Sequence, residues 1–360
     1  SGQVMSDQRR IVVIDDPKWP QWKYGVADHL DQPELYQLDQ EMEQASQMIQ
    51  DAGIQVLRVD MDWSLVQPSK GAYDWRRYDQ IVTLAQKHRF ELIPILDYSS
   101  EWASTATNPK DGQDWLFAPP IPAEYAWYAY KATDRYKSDI HAWEIWNEPN
   151  LSFFWRPEPD PALYTRLLQN AYLAIKYADP SAVVVFGGMA PNGYSPAKFL
   201  QGVYEAGGRS FFDVVAHHPY THPNEGTSTL KGSLDRIRAV MIANGDINKP
   251  IWITEYGIPS GPSQGVSSAG QARWLSQSLY AVFSLDYVPV FFWYNFRDTG
   301  TDKYDIEQNF GIVEYDFTTK PAYKAYGDFI ASHGVASALN RTRAQANPSL
   351  QRTRLAPRGN

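Results

Sequence analysis

Eight times along the chain a short apolar run gives way to a longer amphipathic stretch, and no other feature of the sequence constrains the fold as strongly. The short runs cover residues 24–30, 54–63, 91–98, 141–147, 182–189, 211–220, 251–257 and 288–295. Most are dense in Val, Ile and aromatic residues, the composition of strands covered on both faces. Between them, helical periodicity marks residues 33–52, 75–89, 122–137, 161–178, 196–206, 233–244, 268–285 and 321–333. Boundary signals accompany several of these: Pro33 and Pro161 suit first helical turns, Asp74 suits an N-cap, and Gly53 suits a stop. A single apolar run says only that a segment is buried. Eight strand–helix units predict an α/β protein built as a closed (β/α)8 TIM barrel, a class whose usual length is ~250 residues plus insertions. A doubly wound open sheet is the alternative. It usually has fewer strands, and no glycine-rich phosphate fingerprint follows the first strand here.

The 360 residues leave room for two domains, yet no internal repeat and no Pro/Ser-rich linker divides them. One domain is therefore expected, a catalytic barrel over residues 24–334. A lead segment, residues 1–23, precedes it and is expected to pad the bottom or side of the barrel. Residues 335–360 carry five arginines and no acidic residue, and read as a disordered or loosely docked basic tail. A net charge of −8 argues against nucleic acid or an anionic membrane as partner, because both call for a basic face. The absence of cysteine removes disulfide frameworks, thiol nucleophiles and thiolate metal sites. No uncharged apolar run approaches the ~18 residues that span a bilayer. The start lacks the basic-then-apolar pattern of a signal peptide, so location stays open; a secreted or periplasmic location is expected if such a peptide has been removed.

In barrels of this kind the reactive side chains sit at the C-terminal ends of the strands. Reading only those ends, strand four closes in Trp143-Glu144-Ile145-Trp146-Asn147-Glu148-Pro149-Asn150, and strand seven in Trp252-Ile253-Thr254-Glu255-Tyr256-Gly257. Two glutamates from opposite sides of the barrel then face one mouth. A lone glutamate at a strand end is usually solvated surface; a pair so placed meets the need of glycosidic-bond cleavage for one ionised and one protonated carboxyl. Arg58, near the end of strand two, is expected to keep Glu255 charged, and Tyr220, ending strand six, to donate a hydrogen bond to it. Glu148, among aromatic residues, is expected to have its pKa raised by desolvation, which suits a general acid. Glu144 lies one layer deeper and is expected to be a buried carboxyl satisfied by Arg58 or a neighbour, with Asp60 and Asp62 as orienting or structural groups.

The residues raise two other chemistries. His217 and His218 raise a zinc hydrolase, but the chain holds seven histidines, strand one supplies only His29, and no His-x-x-x-His helix pair occurs. No metal and no cofactor is expected. By strand parity His218 points with Tyr220 into the barrel, and His217 outward to the helices. No Gly-x-Ser-x-Gly elbow is present for a serine acyl hydrolase.

With these residues in view, the chain resembles glycoside hydrolase clan A, the retaining (β/α)8 glycosidases, and is most similar to family 39 and the family-39-like bacterial polysaccharide hydrolases. The run Trp146 to Asn150 resembles the clan's acid/base motif, and Ile253-Thr254-Glu255-Tyr256-Gly257 its nucleophile motif. Further matches are Gly71-Ala72-Tyr73-Asp74-Trp75, the strand-six run from Asp213 to Tyr220, and Phe310-Gly311-Ile312-Val313 leading to Lys320-Pro321-Ala322-Tyr323. The resemblance implies Glu148 as acid/base and Glu255 as nucleophile, with Asn147 holding the sugar's 2-hydroxyl and Arg58, His218, Tyr220 and Trp293 completing the pocket. It also carries a departure. Family 39 xylosidases append a β-sandwich, for which the stretch after the eighth helix is too short; xylosidase action and oligomerisation are not carried over, and a monomer is expected.

These readings predict a retaining double displacement, with carboxyls ~5–5.5 Å apart rather than the ~6.5–9.5 Å of inverting enzymes. Aromatic residues crowd the mouth loops: Trp63 and Tyr73, then Trp102, Trp115 and Phe117, then Phe153, Phe154 and Trp155. Flat rings pack against the apolar faces of sugars, so Trp63, Trp102 and Trp155 are expected as platforms, although about half of such rings serve only to pack loops. The expected substrate is an oligo- or polysaccharide cut internally. An exo-acting, xylosidase-like glycosidase and a non-catalytic carbohydrate-binding barrel are the alternatives.

Overall fold

The computed structural model describes residues 24–333, apart from 109 and 264. The lead segment 1–23 and the basic tail 335–360 lie outside the described residues. Eight parallel strands make one ring: β1 (Tyr24–Ala27), β2 (Val56–Asp62), β3 (Glu91–Asp97), β4 (Ala142–Ile145), β5 (Val183–Phe186), β6 (Val215–His217), β7 (Ile251–Ile253) and β8 (Val290–Trp293). Their hydrogen-bonded order is β5-β4-β3-β2-β1-β8-β7-β6. Single parallel bridges, Val185 to Val214 and Met189 to His217, join β5 to the β6 segment and close the ring.

A long helix follows each strand: α1 (Asp39–Asp51), α2 (Arg76–His88), α3 (Pro122–Tyr136), α4 (Pro161–Ala178), α5 (Pro196–Glu205), α6 (Gly226–Ala243), α7 (Ser268–Val282) and α8 (Pro321–His333). The eightfold reading of the sequence and the (β/α)8 architecture therefore agree. Pro161 occupies the first turn of α4, and the Asp160 carboxylate accepts from the backbone N–H groups of Ala162 and Leu163 at 2.8 and 3.0 Å. Gly53 follows α1 at φ +70°, a conformation that favours glycine. Two boundary expectations shift. Pro33 lies in the turn before α1, which starts only at Asp39, where the Glu41 side chain accepts from the Leu38 N–H. The residue capping α2 is Trp75, and Asp74, one position earlier, accepts from the Arg76 N–H at 3.1 Å. Helix α6 starts at Gly226, earlier than its hydrophobic periodicity suggests, because its first turns are polar and small.

Strand parity sorts the barrel into two cores. Inward-facing Val56, Ile93, Ala142, Val183, Val185, Val214, Ala216, Trp252, Val290 and Phe292 fill its lower interior. Gly25 of β1 makes room for this plug, since a Cβ there would stand 2.4 Å from the Phe292 ring. The outward-facing residues join the helices in a larger core. Followed upward, the same inward parity runs from Val56 to Arg58 and Asp60, from Ala142 to Glu144, from Ala216 to His218, from Trp252 to Thr254 and from Phe292 to Tyr294. The interior is thus apolar below and polar at the C-terminal mouth.

Candidate active site

Glu148 and Glu255 both stand just beyond their strands, where strand parity no longer governs direction. Glu148 follows β4 with φ +46°, and Trp146 two residues earlier has φ +68°. Left-handed backbone at bulky residues is unfavourable by itself and persists where surrounding bonds impose it. Here the Glu148 N–H donates to Gly188 O at 3.0 Å, and the Trp146 indole donates to Phe154 O at 2.8 Å. These bonds hold the backbone from which the Glu148 side chain reaches His218.

Arg58, 2% exposed, is the hub beneath the two glutamates. Its Nη1 donates to Glu255 Oε1 at 2.5 Å, its Nε to Glu144 Oε2 at 2.7 Å, and its Nη2 to Asn147 Oδ1 at 3.0 Å. The Tyr220 hydroxyl donates to Glu255 Oε2 at 3.0 Å. His218 Nδ1 lies 2.8 Å from Glu148 Oε1 and 3.7 Å from Glu255 Oε2. One polar atom each of Glu148, His218 and Glu255 falls within 4.8 Å of the others, so the two carboxyl groups face each other at close range.

Burial pushes Glu148 up from the ordinary carboxylate range, and a His218 ring donating from Nδ1 would oppose this. Burial also holds Glu255 above that range, although Arg58's charge and hydrogen bond, with that of Tyr220, oppose it. Burial lowers His218, so its ring is a weak cation and leaves Glu148 without a lasting positive partner. Guanidinium stays charged throughout the working pH range. A single proton shared by this pair therefore belongs on Glu148, and the negative charge on Glu255. His217 points away, bonded to Met189 O and the Ser233 hydroxyl, and burial drives it down to about 3.

A cavity of about 540 Å³ opens above this pair, lined by Arg58, Asn147, Glu148, Tyr220 and Glu255 together with residues of several other strand ends. Not every residue singled out from the sequence reaches it. Trp293 is fully buried and packs against Tyr256 in the outer core, as its odd position on β8 requires. Trp63 stacks on Tyr128 with ring centroids 5.2 Å apart, and Trp155 packs edge-on against Trp146 at 5.3 Å; both are core groups rather than platforms. Trp102 is half-buried against Trp63 and donates to Gln67 O. Tyr98, Tyr294 and Gln32 line the cavity without being expected there, as does His29, which the sequence raised only in setting a zinc site aside. Position at a strand end was the signal available: Tyr294 has the inward parity that Trp293 lacks.

His29, Asp31 and Asp60 bring one ligand atom each within 4.8 Å of the others, a spacing compatible with a cation. The His29 ring is taken on both sides, by Asp60 at 3.3 Å and by the Tyr294 hydroxyl at 3.2 Å. Burial pulls its pKa down, but the bond and charge of Asp60, with Asp31 and Asp28 nearby, outweigh this and hold the imidazole at about 9. A ring held in this way is suited to donating to its carboxylate neighbour.

The family model of cellulases, glycosyl hydrolase family 5, matches residues 28–297. A beta-xylosidase from Geobacillus stearothermophilus is 26% identical over 255 residues, which are 64% of this chain and 48% of that protein. The chain thus spans about half the length of this curated relative. A family 39 glycoside hydrolase from the gut symbiont Bacteroides cellulosilyticus WH2 superposes with a TM-score of 0.70 at 26% identity, over 89% of this chain and 64% of that one. A monomeric beta-xylosidase from Caulobacter crescentus CB15 shares the fold, with a TM-score of 0.67 at 20% identity over 86% of this chain and 68% of that one.

Proposed function

We propose a mechanism and substrate class on one premise: the chain belongs to the cellulase family, glycosyl hydrolase family 5, in clan A and close to family 39. The protein cleaves O-glycosidic bonds with retention of anomeric configuration. Glu255 attacks the anomeric carbon as a carboxylate while Glu148 protonates the leaving oxygen. Glu148, now ionised, takes a proton from water, whose oxygen displaces Glu255 from the glycosyl-enzyme and restores both groups. One observation carries the reading: an oxygen of Glu148 and one of Glu255 approach within 4.8 Å across the mouth, close-set as the two carboxyls of a direct displacement must be. Asn147, held by Arg58 on one side and donating to the Tyr98 hydroxyl at 3.2 Å on the other, is set to bond the sugar's 2-hydroxyl.

The substrate is an oligo- or polysaccharide cut internally. The cavity of about 540 Å³ is within the ~300–1,000 Å³ usual for ligand sites. On the Glu148 side, Tyr98 and Phe154 lie parallel at 5.9 Å, and Phe153 beside them is 52% exposed. Those rings sit where a leaving sugar would pack. A second, exo-acting reading draws on the dense polar group at the opposite end, His29, Gln32 and Asp60, which suits the hydroxyls of a terminal sugar. Product analysis by mass spectrometry on a panel of plant and bacterial polysaccharides separates the two. Early release of mixed oligosaccharides supports internal cleavage, and monosaccharide as the sole first product overturns it. Proton NMR of the first-formed anomer tests retention; an inverted product overturns the mechanism.

A further inference from the structure

Both ring nitrogens of His218 are engaged, and the engagement has a direction set from below. Glu144 Oε2 accepts from Arg58 Nε at 2.7 Å, while its Oε1 accepts from the Gly188 N–H at 2.8 Å, Arg58 Nη2 at 3.3 Å and the Thr254 hydroxyl at 3.1 Å. A carboxylate ion-paired to a guanidinium has no proton to offer. The single hydroxyl proton of Thr254 is therefore turned toward Glu144, and Thr254 Oγ1 presents only lone pairs to His218 Nε2, 3.0 Å away. His218 Nε2 must then carry hydrogen. In a neutral ring Nδ1 is left as an acceptor, 2.8 Å from Glu148 Oε1, and the proton in that bond comes from the Glu148 carboxyl.

Resting on the assignment of Glu148 as the acid, we propose that Thr254 and Glu144 are positioning residues that lock His218 as the Nε2–H tautomer, so that His218 Nδ1 holds the catalytic proton on Glu148. When the leaving oxygen takes that proton, the Nδ1 contact is lost and a lone pair is left facing a carboxylate. That arrangement favours Glu148 recovering a proton from the incoming water. The chain Glu144–Thr254–His218 transfers no proton itself; it sets which way one hydrogen bond points.

Packing holds the lock in place. A Cβ on Gly188 would stand 2.0 Å from His218 Nε2, so the ring lies flat against the Gly188 backbone and has no room on that side to swing away. The charged and titratable groups facing Glu148 are His218, Glu255 and Arg58; those facing His218 are Glu148, Glu144, Arg58, Glu255 and its neighbour His217. Among them Arg58 is a permanent cation, which disfavours a second positive charge on His218. Tyr98, Tyr220 and Tyr294, also near Glu148, are pushed well above 10 by burial and stay uncharged.

The test compares Thr254→Val, which keeps the shape and removes the hydroxyl, with Thr254→Ser in the full chain. Two aryl glycosides are followed across pH, one with a poor leaving group that needs acid assistance and one with a dinitrophenyl group that needs none. Without the Thr254 acceptor, His218 moves its hydrogen to Nδ1 and donates to the Glu148 carboxylate, which lowers the pKa of Glu148. The expected result for Thr254→Val is a basic limb of kcat/KM shifted down by about one pH unit on the poor substrate, an approximately tenfold loss on that limb. The activated substrate is little changed, and Thr254→Ser keeps the wild-type profile. An unshifted basic limb, an equal loss on both substrates, or a Ser variant that behaves like Val overturns the proposal. Long-range ¹H–¹⁵N correlation on the wild-type enzyme reads the tautomer without any mutation, and a proton on Nδ1 also overturns it. Glu148→Ala is the control: if it fails to penalise the poor substrate more than the activated one, the acid assignment itself falls.

Discussion

Arg58 supplies the charge at the Glu255 carboxylate while Tyr220 supplies a neutral donor, so changing Glu255 to glutamine removes the nucleophile and leaves the shape and one hydrogen bond intact. Glu255→Gln is expected to fold with a near-native melting curve and to lose at least about 10³-fold in kcat; near-normal turnover would end the assignment. A pH profile of kcat/KM is expected to be bell-shaped, its basic limb reporting the raised pKa of Glu148 and its acid limb the protonation of Glu255. At the same scale, His29 tests the polar end of the cavity. Its folded pKa, about 9, is above the ordinary 6.5, so the stability it contributes is fully present below pH 6.5 and is lost as pH rises through 9. The melting-temperature gap between wild type and His29→Gln is therefore expected to be widest near pH 6 and to narrow by pH 9.5. A gap that widens with pH would reverse this account. The carboxyls of this site were readable from their place at strand ends. The roles of Trp63 and Trp155 were not, because both follow the ends of their strands and are drawn into the core by distant partners, Tyr128 for the first and the turned-back Trp146 for the second.

Elements set which residues can meet. The eight strands and their helices were legible because burial on both faces and on one stripe leave different periods in the sequence. Boundaries were less so where a local bond competes, as when Asp74 binds the Arg76 N–H one position before the cap of α2. Packing between elements has its own test in Gly25. Gly25→Ala drives a methyl into the Phe292 ring, and a loss of about 1–3 kcal/mol in urea unfolding is expected. Phe292→Leu in the same chain is expected to recover part of that loss, because the two sites share one contact. Strict additivity would show that the β1–β8 contact is not where the strain arises.

Across the whole molecule, Arg58 ties β2 to the ends of β4 and β7 through Glu144, Asn147 and Glu255. Arg58→Met leaves two buried carboxylates without their cation, and a loss of about 3–5 kcal/mol is expected, with activity abolished. Adding Glu144→Gln is expected to return part of the stability and none of the activity; a double variant no more stable than the single would show that charge is not the cause. By itself the sequence determined the barrel, the mouth on which its chemistry lies and the two strand ends that carry the glutamates, since all three follow from periodicity and from position along a strand. Only the tertiary structure decided that Trp63 and Trp155 are core, that Tyr98 lines the cavity, and that Thr254 orients His218. Those outcomes depend on which side chain faces which across a closed ring, and the direction of a residue beyond a strand's end is set by neighbours far away in the chain.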